Sequence, residues 1–247
     1  MKTVDKALKV LDQFSLSQTE IGLSELARMA DLDKAATRRL LVALSKHNFI
    51  EQNEETRRYR LGHGFLRLAR IREATIPVSE IAQSVTDWLV GETNETAHVS
   101  VPGPQGMTTI AYRLPNRGRV INIIPSEILD YHATASGLVF LAFASEPTVT
   151  RILGLKRRKI TRDTITNKTE LIAATKQFRA QGYSISRNSF EEDVASLAMP
   201  FFQNQGNPTG TIAVAFARDD LTDARRDAVL PLLKEAVARI EKALTGL

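Results

Sequence analysis

The stretch Leu23 to Leu44, LSELARMADLDKAATRRLLVAL, constrains the chain most, because it reads as two short helices across a tight corner. Ser24 is expected to cap the first helix, its hydroxyl accepting from an amide two or three residues on, with Leu26, Ala27 and Ala30 on the apolar side. At the corner, Asp31 tolerates left-handed backbone, Leu32 supplies an apolar plug and Asp33 an N-cap. A second helix is expected from Lys34 to His47. At ~100° per residue, Ala36, Leu40, Ala43, Leu44 and His47 share one face, while Lys34, Arg38 and Ser45 point the other way and Arg39 sits on the flank. No acidic residue lies between Lys34 and His47, so the outward face carries only positive charge. Such a helix suits a major groove, where Arg and Lys reach guanine edges or phosphates. An ordinary helical hairpin with a solvated basic face has the same pattern.

The next residues separate the two readings. Asn48 fits a left-handed C-cap, after which Phe49 to Gln52 and Arg57 to Leu61 read as strands around a polar turn at Asn53 to Thr56. A basic hairpin directly after a basic helix is a winged helix-turn-helix. Lys34, Thr37, Arg38 and Arg39 are the candidates for the groove, Arg57 and Arg58 for phosphates at the wing, and Ser24 for a phosphate at its helix N-terminus. Ahead of this, Val4, Ala7, Leu8, Leu11 and Phe14 mark the core face of a first helix.

These residues resemble the IclR-type transcriptional regulators. The resemblance is carried by KALKVLDQFS near the start, by the corner pair and by YRLG at the end of the wing. It continues through YHATASGLVFLAF (Tyr131 to Phe143), ITRDTIT (Ile160 to Thr166) and QGYSISRNSFEEDVASLAMP (Gln181 to Pro200). It departs from the family at Ala35-Ala36, where Ser-Thr is usual. The resemblance implies an α+β chain: a winged domain over 1–62, a linker helix over 63–76, and an effector-binding, oligomer-forming domain over 77–247 with a GAF-like antiparallel sheet flanked by helices. It also implies a homodimer or homotetramer that reads a palindromic operator in double-stranded DNA.

Composition agrees. The 247 residues are 43% hydrophobic and 25% charged, enough for two domains with real cores. The net charge of +5 favours a polyanionic partner, and the absence of cysteine makes a reducing cytoplasm the simplest compartment. No apolar run approaches a membrane span, and nothing at the start suggests a signal peptide.

Gly62-His63-Gly64 reads as a loose joint, followed by a helical run in which Phe65, Leu68 and Ile71 either meet a second copy or pack on their own domain. Beyond Pro77, Ile81, Val85, Trp88 and Leu89 mark a helix ending before Gly91. Strands are expected at Thr96 to Val101, Met107 to Leu114 and Arg119 to Ile124. Helices then fall at Ala135 to Ala144, Pro147 to Leu153 and Lys168 to Ala180, the last capped by Asn167. Strands at Tyr183 to Ser186, Ala195 to Phe202 and Thr211 to Ala217 precede a closing helix from Ala224 to Leu244.

No complete catalytic constellation is present. His47, His63, His98 and His132 lack metal-ligand spacing, Ser136-Gly137 lacks the flanks of a nucleophile elbow, and no glycine-rich phosphate loop precedes a helix, so neither an enzyme nor a cofactor is expected. The rival reading is a small-molecule enzyme or ligand-binding accessory protein that retains a vestigial winged domain.

The family resemblance implies an effector pocket, and matching its motifs assigns Ile121, Ala135, Ser136, Ser186, Ser196, Ala213 and Ala215 to it. Ser196 stands where the family commonly has cysteine, and Ala213-Val214-Ala215 where it often has Ser-x-Ser. Ser186 and Ser196 have an alternative reading as strand residues satisfied by backbone. The missing hydroxyls point to a small organic effector with an apolar or aromatic portion and one polar end, an acid or aldehyde, with Arg113 and Arg187 available to an acid group.

Overall fold

The computed structural model describes residues 3–75, 77–124 and 127–245. The chain divides into two compact units, Met1–Thr75 and Ile76–Leu247. The first holds α1 (Thr3–Leu11), α2 (Leu23–Met29), α3 (Lys34–Lys46), a hairpin of β1 (Ile50–Gln52) and β2 (Tyr59–Leu61), and α4 (Gly64–Thr75). The corner forms as its residue types require. Asp31 is left-handed at φ 53, the Asp33 side chain accepts from the Ala36 amide at 2.7 Å, and Asn48 is left-handed at φ 59 after α3. Helix α2 begins one residue before Ser24, however. Its N-cap is Gly22, in extended backbone with no side-chain cap, so Ser24 sits inside the first turn.

Two helix faces differ from the sequence projection. Helix α3 buries Thr37, Leu40 and Leu41, with Leu44 half-buried, while Ala43 and His47 are exposed. Burial scales with apolar area, so the helix turns its leucines inward at the expense of its alanines. In α1 the buried residue is Val10, supported by Ala7, Leu11 and Phe14, whereas Val4 and Leu8 are 68% and 54% exposed. On α4, Leu66, Leu68 and Ile71 are exposed, but the Phe65 ring lies 4.8 Å from that of Phe49 and belongs to its own unit.

The wing is tied to the body. The amide of Ile21 donates to Tyr59 O at 2.9 Å and the amide of Tyr59 donates back at 2.8 Å, while Ile50 pairs with Leu61 in the hairpin. The expected loose joint is instead a close backbone crossing. A Cβ on Gly62 would stand 2.2 Å from Asn48 O, and one on Gly64 2.9 Å from the same atom, because both amides donate to the turn after α3.

The second unit is a six-stranded sheet in the order β5-β4-β3-β8-β7-β6. Its strands are β3 (Thr96–Pro102), β4 (Gly106–Arg113), β5 (Ile128–Asp130), β6 (Ser184–Arg187), β7 (Val194–Phe201) and β8 (Gly210–Ala217). Every pairing is antiparallel. The helices are α5 (Val78–Thr93), α6 (Ala135–Phe143), α7 (Glu146–Leu153), α8 (Lys168–Gln181) and α9 (Asp223–Thr245). Asn167 caps α8 as expected, accepting from Thr169 and Glu170 amides. Helix α5 runs through Gly91 and stops at left-handed Asn94. The expected strand Arg119 to Ile124 does not join the sheet. The edge of β4 is taken by β5, and the segment is held by a hydrogen bond from Thr96 Oγ1 to Ile121 O at 2.8 Å.

With a period of two, one side of the central strands presents Val99, Leu197, Ile212, Val214 and Phe216 to α5 and α9. The other side carries α6, whose Ala135 and Val139 pack on Ala198 and Ala213. No helix among the described residues is long and apolar enough to cross a membrane.

Because the Gly62 crossing leaves no room for a methyl group, Gly62→Ala is expected to destabilise the first unit by about 1–3 kcal/mol. Denaturant melts followed by hydrogen exchange at β1 and β2 check this. Unchanged protection there would show that the crossing yields without cost.

Candidate functional site

Lys34, Arg38, Arg39 and Lys46 lie exposed along α3 and, among the described residues, make no side-chain hydrogen bond or ion pair. Thr37 does not join them. It is fully buried, and its hydroxyl donates to Asp33 O at 2.9 Å, which locks the first turn of α3 instead of facing outward.

The wing is less free than its arginine count implies. Arg58 donates through Nε and Nη2 to Glu20 O at 3.2 and 2.9 Å and pairs with Glu25 at 3.1 Å, bracing the hairpin against α2. Arg60 pairs with Glu51 at 3.1 Å, and His63 Nδ1 meets the other Glu51 oxygen at the same distance. These partners, His63 first, hold the Glu51 carboxyl below the usual range. Arg57, left-handed at φ 57, has an exposed side chain at the tip that makes no hydrogen bond or ion pair among the described residues. Ser24 is exposed on the first turn of α2.

In the second unit, a cleft opens where α6 begins above the sheet. Beneath the start of α6 the sheet presents two rungs, Thr96–Ala215–Ser196–Ser186 and His98–Ala213–Ala198–Ser184, of which Ala215, Ser196, Ser186 and His98 form the cleft floor. Two serines on the edge strand anchor the approach to α6: Ser184 Oγ donates to Ala135 O at 2.7 Å and Ser186 Oγ to Ala133 O at 3.1 Å. Thr134 caps the helix, accepting from the Gly137 amide at 3.1 Å. The extended segment around Ile121 closes one side, and Leu129 and Phe190 supply further apolar wall.

Of the residues assigned to this pocket from sequence, Ile121, Ala135, Ser136, Ser186, Ser196 and Ala215 line the cleft. Ala213 does not, because Ala135 and Val139 cover it. The Ser186 hydroxyl is spent on backbone, whereas Ser196 makes no side-chain hydrogen bond among the described residues. Neither arginine reaches the cleft: Arg113 pairs with Asp87 at 3.7 Å, and Arg187 donates to Leu221 O at 3.0 Å.

Sequence reasoning missed His98, which it weighed only as a metal ligand. The alternation along β3 was the available signal, since Ala97 and Val99 face α5 and α9 and thereby turn His98 to the cleft. His98 is 6% exposed, its Nε2 lies 3.3 Å from Ser136 Oγ, and its Nδ1 has no partner among the described residues. Burial pushes its pKa down to about 4, so the ring is neutral at pH 7. At the rim, burial and then neighbouring Glu191 raise the Glu127 carboxyl above its usual range. No group of three or more His, Cys, Asp or Glu side chains among the described residues is arranged to hold a metal ion.

Comparison with known proteins decides the family. The model of the IclR helix-turn-helix domain matches residues 3–54, and that of the bacterial transcriptional regulator IclR C-terminal domain matches residues 74–242. The chain belongs to the IclR family. It is 26% identical to the HTH-type transcriptional regulator XynR of Escherichia coli, over 99% of this chain and 97% of that protein. A crystal structure described as an IclR transcriptional regulator from Silicibacter sp. TM1040 is 33% identical, with a TM-score of 0.93 over 100% of this chain and 97% of that one. An IclR homolog complexed with 4-hydroxybenzoate, from Microbacterium hydrocarbonoxydans, shares the fold at 17% identity and a TM-score of 0.77, with 100% of both chains covered. The IclR-family chain is a one-component DNA-binding regulator with an effector-sensing C-terminal domain.

The buried imidazole has a consequence for acid stability. Its pKa is lower folded than unfolded, so between its ordinary 6.5 and about 4 the unfolded chain binds the extra proton and stability falls as pH falls. His98→Asn is expected to remove roughly 3 kcal/mol of that loss. Denaturation midpoints of both chains from pH 7 to 4 check it, and parallel pH profiles would contradict a neutral buried His98.

Proposed function

We propose that α3 enters the major groove with Lys34, Arg38 and Arg39, that Arg57 reaches the DNA backbone from the wing, and that a small organic molecule in the cleft sets operator affinity. The observation that carries the DNA reading is the row of exposed, unpaired cations on a helix fixed at its start by Asp33. Ser24, on the first turn of α2, is assigned to a phosphate, since the amides of a helix start attract anions. Arg58 is assigned a bracing role, because Glu20 and Glu25 occupy its guanidinium.

On this reading, residues 1–62 bind DNA, 63–76 link, and 77–247 bind the effector in a GAF-like domain. The all-antiparallel sheet with helices on both faces supports that description. The exposed Val4 and Leu8 of α1, and Leu66, Leu68 and Ile71 of α4, support a homodimer reading a palindrome, alone or paired into a tetramer. The absence of cysteine supports a cytoplasmic setting. Apolar walls at Ile121, Leu129 and Phe190 support an effector with an apolar body, and Ser196 a single polar end. A relative of the same fold is complexed with 4-hydroxybenzoate, whose ring is an apolar body of this kind.

Arg38→Ala is expected to cost about 1–3 kcal/mol at the operator and relax one base position, whereas Arg57→Ala should weaken all sequences alike and flatten the salt dependence. Anisotropy titrations with the DNA upstream of the chain's own gene read both effects, together with the number of chains bound per site. Equal binding by wild type and Arg38→Ala would refute the groove assignment, and one chain per site the dimer.

A further inference from the structure

We propose that His98 selects the effector, taking a hydroxyl group of an uncharged, hydroxylated ring compound on its free Nδ1. The proposal rests on the reading of the cleft as the effector site and names the chemistry that site recognises. Its starting point is an orphan atom. Buried polar groups are nearly always paired, yet Nδ1 of this enclosed ring has no partner, while the other ring nitrogen is held by Ser136. The other buried side-chain atom without a partner among the described residues, Thr211 Oγ1, does not line the cleft.

The neighbouring polar groups are already spent. Thr96, Ser184 and Ser186 donate to backbone carbonyls, and Thr134 caps α6. This leaves His98 Nδ1 and the Ser196 hydroxyl on the floor, and the exposed Asn122 amide on the wall, to meet a ligand.

Charge then separates the ligand classes. No Lys or Arg among the described residues lines the cleft, while Glu127 and Glu191 stand at its rim. A carboxylate placed inside would be buried beside like charge with no cation to offset it, which is costly, whereas a hydroxyl carries no such penalty. The neutral imidazole has one donor and one acceptor nitrogen, and the Ser136 contact is compatible with either tautomer. A hydroxyl both donates and accepts, so it pairs with Nδ1 in both cases. A carbonyl or carboxylate oxygen only accepts and pairs in one. Ile121, Leu129 and Phe190 give a ring body its apolar surroundings.

The test is titration of the full-length chain with matched probes: phenol, toluene and benzoate, and cyclohexanol, methylcyclohexane and cyclohexanecarboxylate. Binding is followed by NMR shifts of backbone amides around the cleft and of the His98 ring nitrogens. The hydroxyl member of each set is expected to bind roughly tenfold more tightly than its methyl and carboxylate counterparts and to shift Nδ1. In His98→Phe the preference for hydroxyl over methyl should fall to about one, by the same loss of a hydrogen bond. Should that variant fail to fold, the Nδ1 shift in wild type decides alone. Tightest binding by a carboxylate, a hydroxyl preference that survives in His98→Phe, or phenol binding without an Nδ1 shift would overturn the assignment and leave the cleft as the effector site. No response of the cleft to any of the six probes would overturn both. A larger shift with phenol than with cyclohexanol would support the proposal in its aromatic form, and the reverse in its saturated form.

Discussion

Alternation along β3, β7 and β8 makes the two faces of one sheet chemically unlike, and the second unit depends on that difference. On one side, Val99, Leu197, Met199, Ile212, Val214 and Phe216 form a continuous apolar layer under α5 and α9. The residues between them are small or polar: Thr96, His98, Ser196, Ala198, Ala213 and Ala215. A face of this kind cannot fill the space beneath a helix with large side chains, so it supports close packing only where Ala135 and Val139 descend onto Ala198 and Ala213. One rung further along, the same small residues leave room, and the cleft occupies it.

The position of α6 is fixed by polar contacts as much as by packing. Ser184 and Ser186 hold the carbonyls of Ala135 and Ala133, and Thr134 closes the first turn. Gly137 allows the close approach behind it, since a Cβ there would lie 2.4 Å from Tyr131 Cα. Framing of this sort holds Ser136 against His98, so the His98 Nδ1, without a partner among the described residues, has a defined direction. In the first unit, acidic residues perform a comparable selection. Glu20, Glu25 and Glu51 engage Arg58, Arg60 and His63 and leave the cations of α3 and Arg57 at the surface.

Features set by local chemistry were legible in the sequence. Asp33, Asn48 and Asn167 act within a turn of their own backbone, and each caps or ends its helix as read. Most of the element order, the antiparallel sheet and six of the seven positions assigned to the cleft followed from periodicity and from family motifs. Apart from the Ser24 cap, what failed depended mostly on tertiary partners. Nothing local shows that Thr37 turns inward, that Val4 and Leu8 stay exposed, or that Glu20 and Glu25 occupy Arg58. Gly91 read as a stop because it is glycine, yet the helix continues to Asn94, which ends it in left-handed backbone. Arg119 to Ile124 has strand-like composition, but β5 takes the edge that it would have needed. The alternation that turns His98 away from Ala97 and Val99 was present in the sequence, but which side of β3 carries the cleft depended on the elements packed around it.

Filling the cleft tests most directly whether one chain joins a DNA reader to a cleft that governs it. A reporter driven by the DNA upstream of the chain's own gene would be measured across a panel of carbon sources, with wild type and Ser196→Phe, alongside chromatin immunoprecipitation at the same site. The account predicts that wild type changes its output on at least one source, while Ser196→Phe occupies the same DNA and no longer responds. A filled-cleft chain that responds as wild type does, or one that leaves its DNA, would contradict it.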